Sequence, residues 1–126
     1  MTPSPQQRPL SPHLQVYRPQ LTTVLSILHR ITGGALAVGC LLAPLWLWCA
    51  IAGEETYAQL QAFRISLIGQ LIMFGWLFSF VYHMLNGLRH LGWDMVWGFK
   101  IKTVYQTGWI VFLGAIAITL YLWMLP

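Results

Sequence analysis

Three long stretches of this chain carry no formal charge, and they restrict its possible folds more than any other feature. After Arg30 no Asp, Glu, Lys, Arg or His occurs before Glu54; a second uncharged stretch lies between Arg64 and Arg89, and a third runs from Lys102 to Pro126. Each reaches the roughly 20 residues that a helix needs to cross about 30 Å of hydrocarbon. Lipid offers no hydrogen-bond partners, so each backbone group must pair within its own segment, and a helix does that. The expectation is an all-α integral membrane bundle of three transmembrane helices. Residues 1–126 form a single membrane domain, with a segment at 1–21 and helices over about 22–52, 62–91 and 103–124.

Composition excludes the soluble alternative. The chain is 57% hydrophobic and 8% charged, whereas soluble domains carry about 25% charged residues. A short chain has much surface for its volume, and water does not accept so apolar an exterior. The net charge of +4 is read as a basic rim facing anionic lipid or a partner protein. Nothing in the pattern suggests nucleic acid.

Charge placement gives an orientation. Arg8, Arg18 and Arg30 lie in or beside the N-terminal segment, and Arg89, Lys100 and Lys102 flank the second loop. The first loop holds Glu54 and Glu55 against Arg64 alone. Cytoplasmic loops collect Lys and Arg, so the N-terminus and second loop are expected on the cytoplasmic side.

Local signals set the boundaries. Pro3, Pro5, Pro9, Pro12 and Pro19 keep the first 20 residues extended, without the apolar core of a signal peptide. Thr22 or Thr23 is the expected N-cap of the first helix, with a kink at Pro44. Gly53 to Gln61 reads as a short loop, and Gly92 as the left-handed cap of the second helix. Trp93 to Lys102 reads as an interfacial stretch. Gly33, Gly34, Ala35, Gly39, Gly114, Ala115 and Ala117 allow close helix approach. Three helices make a thin bundle, so partners within the membrane are expected. Cys40 and Cys49, nine residues apart, fall on different faces and read as unpaired buried thiols.

Ionisable groups inside membrane spans cost about 2.5–3.5 kcal/mol at mid-span for Arg, Lys or Asp, so they mark function. One group is Ser26, His29 and Arg30 at the start of the first helix; the other is His83, Arg89 and His90 near the end of the second. His83 lies about two turns inside its helix, with Gly87 at i+4 and His90 at i+7 on the same face. A haem ligand needs a neutral imidazole aimed at iron, and Gly87 leaves a gap where a macrocycle can lie. Arg89 and His90 can meet its propionates. A plain helix–helix hydrogen bond is the competing reading of His83. No second His lies as deep, so the opposite axial ligand is expected from another chain unless His29 or His90 supplies it.

Ser26 and Arg30 share a face at i, i+4. A hydroxyl and a guanidinium at a bundle's rim suit a quinone head, whose oxygens gain charge on reduction. The competing reading has Arg30 reaching phosphate and Ser26 bonded to its own helix. Asp94 is a candidate for proton delivery, or else a solvated carboxylate.

These residues carry a family resemblance. RPLSPHLQVYRPQLTTVLSILHRITG (Arg8–Gly33) and HMLNGLRHLGWD (His83–Asp94), the latter with an H-x-x-x-G-x-R-H pattern, resemble the two signatures of the cytochrome b556 membrane-anchor family of succinate dehydrogenase, complex II. The resemblance implies a haem-b and ubiquinone-binding anchor in a bacterial inner membrane. A flavoprotein subunit oxidises succinate, and an iron–sulfur subunit passes electrons onward to ubiquinone in the tricarboxylic acid cycle and respiratory chain. A second small membrane subunit supplies the other haem His. It further implies that His83 is the axial iron ligand, that Ser26 and Arg30 line the quinone, and that His29, Arg30, Arg89 and His90 lie near the propionates. Succinate chemistry is then absent from this chain. The alternatives are the anchor of a fumarate reductase and a purely structural, haem-free anchor.

Overall fold

The structure is a computed structural model that describes residues 17–125; the N-terminal prolines up to Pro12, Arg8 and the first part of the Arg8–Gly33 signature lie outside the described residues. Four helices follow one another: α1 (Leu21–Ile51), α2 (Glu54–Ile65), α3 (Leu67–Asp94) and α4 (Ile101–Met124). All but α2 are long and apolar enough to cross a membrane. The shortest of these, α4, has 24 residues and is about 36 Å long at 1.5 Å per residue. The chain is therefore all-α among the described residues, with three candidate spans.

α3 packs against both α1 and α4 and forms the middle of the bundle. Its core is small: Leu25, Val81, Tyr82, Val111 and Ala115. The Tyr82 hydroxyl donates to the Leu25 carbonyl at 2.8 Å and joins α3 to α1. Most large apolar side chains point outward, as a lipid-facing bundle requires. From Val38 to Ile51 every α1 residue except Gly39 and Cys49 is exposed.

The small residues act unequally. A Cβ on Gly33 would lie 2.9 Å from His83 Cε1, and one on Gly39 would lie 3.3 Å from the Trp76 ring. A Cβ on Gly108 would press on Leu25 at 2.8 Å, which sets the close approach of α1 and α4. Gly34 meets nothing, so it has no packing role within this chain. Cys40 and Cys49 are both unpaired; Cys40 is exposed, not buried.

Three local expectations are corrected. α1 starts at Leu21 with Gln20 as an extended N-cap that makes no side-chain cap bond; the Thr23 hydroxyl pairs instead with Tyr17 at 2.7 Å. The expected loop at 53–61 is mostly helix α2. Glu54 and Glu55 fall in its first turn and Arg64 in its last, the placement that favours a short helix electrostatically. Ser66 then ends α2 and begins α3, its hydroxyl donating to the Phe63 carbonyl at 2.6 Å and accepting from Gly69 N–H at 3.1 Å.

Gly92 does not cap α3. The helix runs to Asp94, and the left-handed residue is Val96 (φ 60°). Val96 N–H donates to Trp93 at 2.8 Å and Trp97 N–H to Gly92 at 3.0 Å, the bond pair of a Schellman stop. Gly92 lies buried one turn earlier, where an added Cβ would make ordinary contact with the Trp97 ring at 3.6 Å.

Candidate functional site

Chain reversal between α1 and α3 brings the start of α1, the end of α3 and the start of α4 to one end of the bundle. His83, 54 residues from His29 in sequence, reaches across to α1 there, with Nδ1 at 3.1 Å from the His29 carbonyl oxygen. A carbonyl only accepts, so Nδ1 carries the proton and donates. The lone pair is then on Nε2, the atom a metal takes; a hydrogen bond from the other ring nitrogen to a carbonyl is the usual way a ligating His is held.

The rest of the seat also comes from α1. The His29 ring lies parallel to the His83 ring, with centroids 3.9 Å apart and planes inclined by 5°. Thr32 is 3% exposed; its hydroxyl donates to the Leu28 carbonyl at 2.9 Å and lies 3.4 Å from His83 Nδ1. Gly33 supplies the floor beneath Cε1. On α3 itself, a Cβ on Gly87 would meet nothing within 4 Å. The gap read from the sequence is open in this chain.

His90 also joins the group, 5.2 Å from the His29 ring and edge-on to Trp93 at 4.9 Å. His29 Nδ1 is buried without a partner among the described residues. Since the His29 and His83 rings touch face to face, they cannot stand on opposite sides of one porphyrin, and His29 as placed does not oppose His83 across an iron.

Arg89 has a different setting from the other rim residues. Its Nε donates to Thr107 at 3.1 Å, one terminal nitrogen donates to the Val104 carbonyl at 2.9 Å, and the other reaches the Asn86 side-chain oxygen at 3.4 Å. The guanidinium also sits 4.1 Å over the Trp93 ring. These contacts fasten α3 to α4. Asn86 is fully buried, with its amide nitrogen unpartnered among the described residues.

Ser26 is partly buried on α1, and Arg30 is exposed one turn on. Thr32, Ser79 and Thr107 all donate to carbonyls of their own helix. Among the described residues the Ser26 hydroxyl makes no such bond. Asp94 is exposed at the last position of α3. The site thus gathers His29, His83 and His90 into one cluster, with Ser26 and Arg30 on the same stretch of α1. Thr32, Gly33 as the His83 seat, Asn86 and Thr107 escaped the sequence reading. Thr32 and Gly33 follow His29 at i+3 and i+4, a spacing that shows they share its face but not what that face touches.

At the other end of the bundle an apolar groove of about 790 Å³ lies between α1, α2 and α3, with Trp46, Phe63, Trp76 and both cysteines among its walls.

The profile of the family described as succinate dehydrogenase/fumarate reductase transmembrane subunit matches residues 4–122. The chain is 40% identical over 118 residues to the succinate dehydrogenase cytochrome b556 subunit of Rickettsia prowazekii (strain Madrid E), covering 94% of this chain and 92% of the relative. It is 38% identical to the cytochrome b556 subunit of Paracoccus denitrificans, covering 88% and 85%, and 40% identical to the cytochrome b560 subunit of Reclinomonas americana, covering 94% and 85%. With three candidate spans, and with the match running through both histidine-bearing segments, the chain belongs to the succinate dehydrogenase/fumarate reductase transmembrane subunit family.

Proposed function

We propose that this chain is the haem-b and ubiquinone-binding anchor of a succinate dehydrogenase, passing electrons from an iron–sulfur subunit to ubiquinone in a bacterial inner membrane. One observation carries the reading: His83 gives its Nδ1 proton to the His29 carbonyl beside the open face at Gly87. That is the tautomer and the clearance that an axial iron ligand needs. The cytochrome names of the relatives agree with it.

In this reading His83, together with a His of a second small membrane subunit, would hold the haem iron. When bound, the haem would supply one-electron storage. Arg30 and His90 serve its propionates, and His29 stands at the rim beside them, against the His83 ring. Arg89, whose donors are already engaged by α4, serves them least.

Ser26 and Arg30 hold the quinone head. Each donates toward an oxygen that becomes more negative on reduction, so each stabilises the reduced form more than the oxidised one. Asp94, exposed at the rim, relays protons from water. In this reading the basic flank of this end faces the cytoplasm, as the preference of cytoplasmic loops for Lys and Arg supports, and the iron–sulfur subunit and the flavoprotein dock there. No succinate chemistry is assigned to this chain.

The test is a pyridine haemochrome spectrum of the purified complex with its co-purifying subunits. A b-type signal that is lost in His83→Leu is the expected result. A signal unchanged by that substitution removes His83 as ligand, and no signal in the parent complex leaves a haem-free anchor. The family description names fumarate reductase as well; preference for a low-potential quinol in the same preparation would favour that direction of electron flow.

A further inference from the structure

His29 stands closer to His83 than a propionate-binding residue needs to, and its own hydrogen bonding does not explain why. Its Nδ1 is buried without a partner among the described residues, so ring contact keeps it in place. That contact is a parallel stack, with centroids 3.9 Å apart and planes 5° from parallel.

The stack restrains a motion that the hydrogen bond leaves open. The bond from Nδ1 to the His29 carbonyl fixes one vector in the plane of the imidazole. Rotation of the ring about that vector remains, and the terminal torsion of a His side chain is intrinsically broad. A flat group pressed on one face suppresses it. Gly33 supports the Cε1 edge, where an added Cβ would sit at 2.9 Å. Metal binding is in the ring plane through Nε2, whereas the stack occupies a ring face, so the two do not compete.

We propose that His29 is a positioning residue: its ring, stacked on His83, fixes the plane in which the imidazole presents Nε2 to iron. The proposal rests on His83 being an axial ligand. Orientation by neighbours is a recognised control on a ligated metal. For low-spin ferric iron between two imidazoles, the angle between the ligand planes sets the splitting of the iron d orbitals. The largest g value reports that angle.

The experiment is low-temperature electron paramagnetic resonance of the oxidised complex, purified with its co-purifying subunits, for the parent and for His29→Phe, His29→Gln and Gly33→Ala, with haem content measured alongside. Phe keeps a flat ring without nitrogen; Gln keeps polarity without a ring. The expected result is that Phe retains the parent's largest g value while Gln moves it by more than its linewidth. Gly33→Ala, crowding the ring from the other edge, should move it as well and gives an independent reading.

Equal shifts in Phe and Gln would overturn the proposal, because they assign the effect to the ring nitrogens, as a propionate contact would. The parent's value in all three variants would also overturn it. A parent complex without a b-type signal, or one whose signal survives His83→Leu, would instead remove the ligand assignment on which the proposal rests.

Discussion

The His83 Nδ1 proton and the His29 carbonyl oxygen meet across two helices, with the heavy atoms 3.1 Å apart. The bond uses a carbonyl that already belongs to the α1 ladder, so His83 gains an acceptor without any extra polar side chain being placed in lipid. It also leaves the α3 face at Gly87 open. His83 thus has a filled side toward α1 and an empty one at Gly87.

Gly87→Leu should preserve folding and weaken cofactor binding. Nothing lies within 4 Å of a Cβ at this position, and replacing a helix-interior glycine adds up to about 1 kcal/mol of helix propensity. The expected outcome is unchanged helical circular dichroism with a several-fold fall in haem per complex by pyridine haemochrome. Full haem content in Gly87→Leu would show that the macrocycle lies elsewhere.

Ser26→Ala should uncouple the two ends of electron transfer. A lost hydrogen bond worth about 1.5 kcal/mol to a charged oxygen corresponds to roughly a tenfold loss. Succinate-driven ubiquinone reduction is expected to fall by about that factor, while reduction of an artificial dye upstream persists. Equal loss of both activities would indicate misassembly instead.

Arg89→Lys keeps the charge but cannot reach Thr107, Val104 and Asn86 together. Losing two of these bonds while leaving Asn86 buried should destabilise the α3–α4 contact by roughly 2–4 kcal/mol. Thermal unfolding in detergent checks this, as a lower midpoint. An unaltered midpoint together with a perturbed haem spectrum would return Arg89 to the propionates.

Val96→Gly should stabilise the protein. A β-branched residue at φ 60° carries a left-handed penalty of about 1–2 kcal/mol, which glycine avoids. A rise of a few degrees in the same unfolding experiment is expected. No rise would mean that Val96 packing offsets its backbone conformation.

The spans were legible because pairing backbone groups in lipid is a local demand, met residue by residue wherever charge is missing. The shared face of His83, Gly87 and His90 was legible for the same reason: helical period alone places them together. The short helix α2 was not legible, because nothing in it is buried and its charges suit a loop equally well. The stop at Val96 was hidden by the usual preference for glycine, and Gly92 drew the assignment one turn too early.

Only tertiary packing decided which atoms meet at the site. The rotation of α1 and α3 about their own axes is fixed by contacts between residues far apart in sequence: Gly33 beneath His83, Gly39 beneath Trp76 and Tyr82 on the Leu25 carbonyl. A helix repeats its faces along its length but carries no record of which face its neighbour will cover. The sequence therefore determined the three long apolar helices and the face bearing His83. Packing turned that face onto His29, and turned Arg89 away to α4.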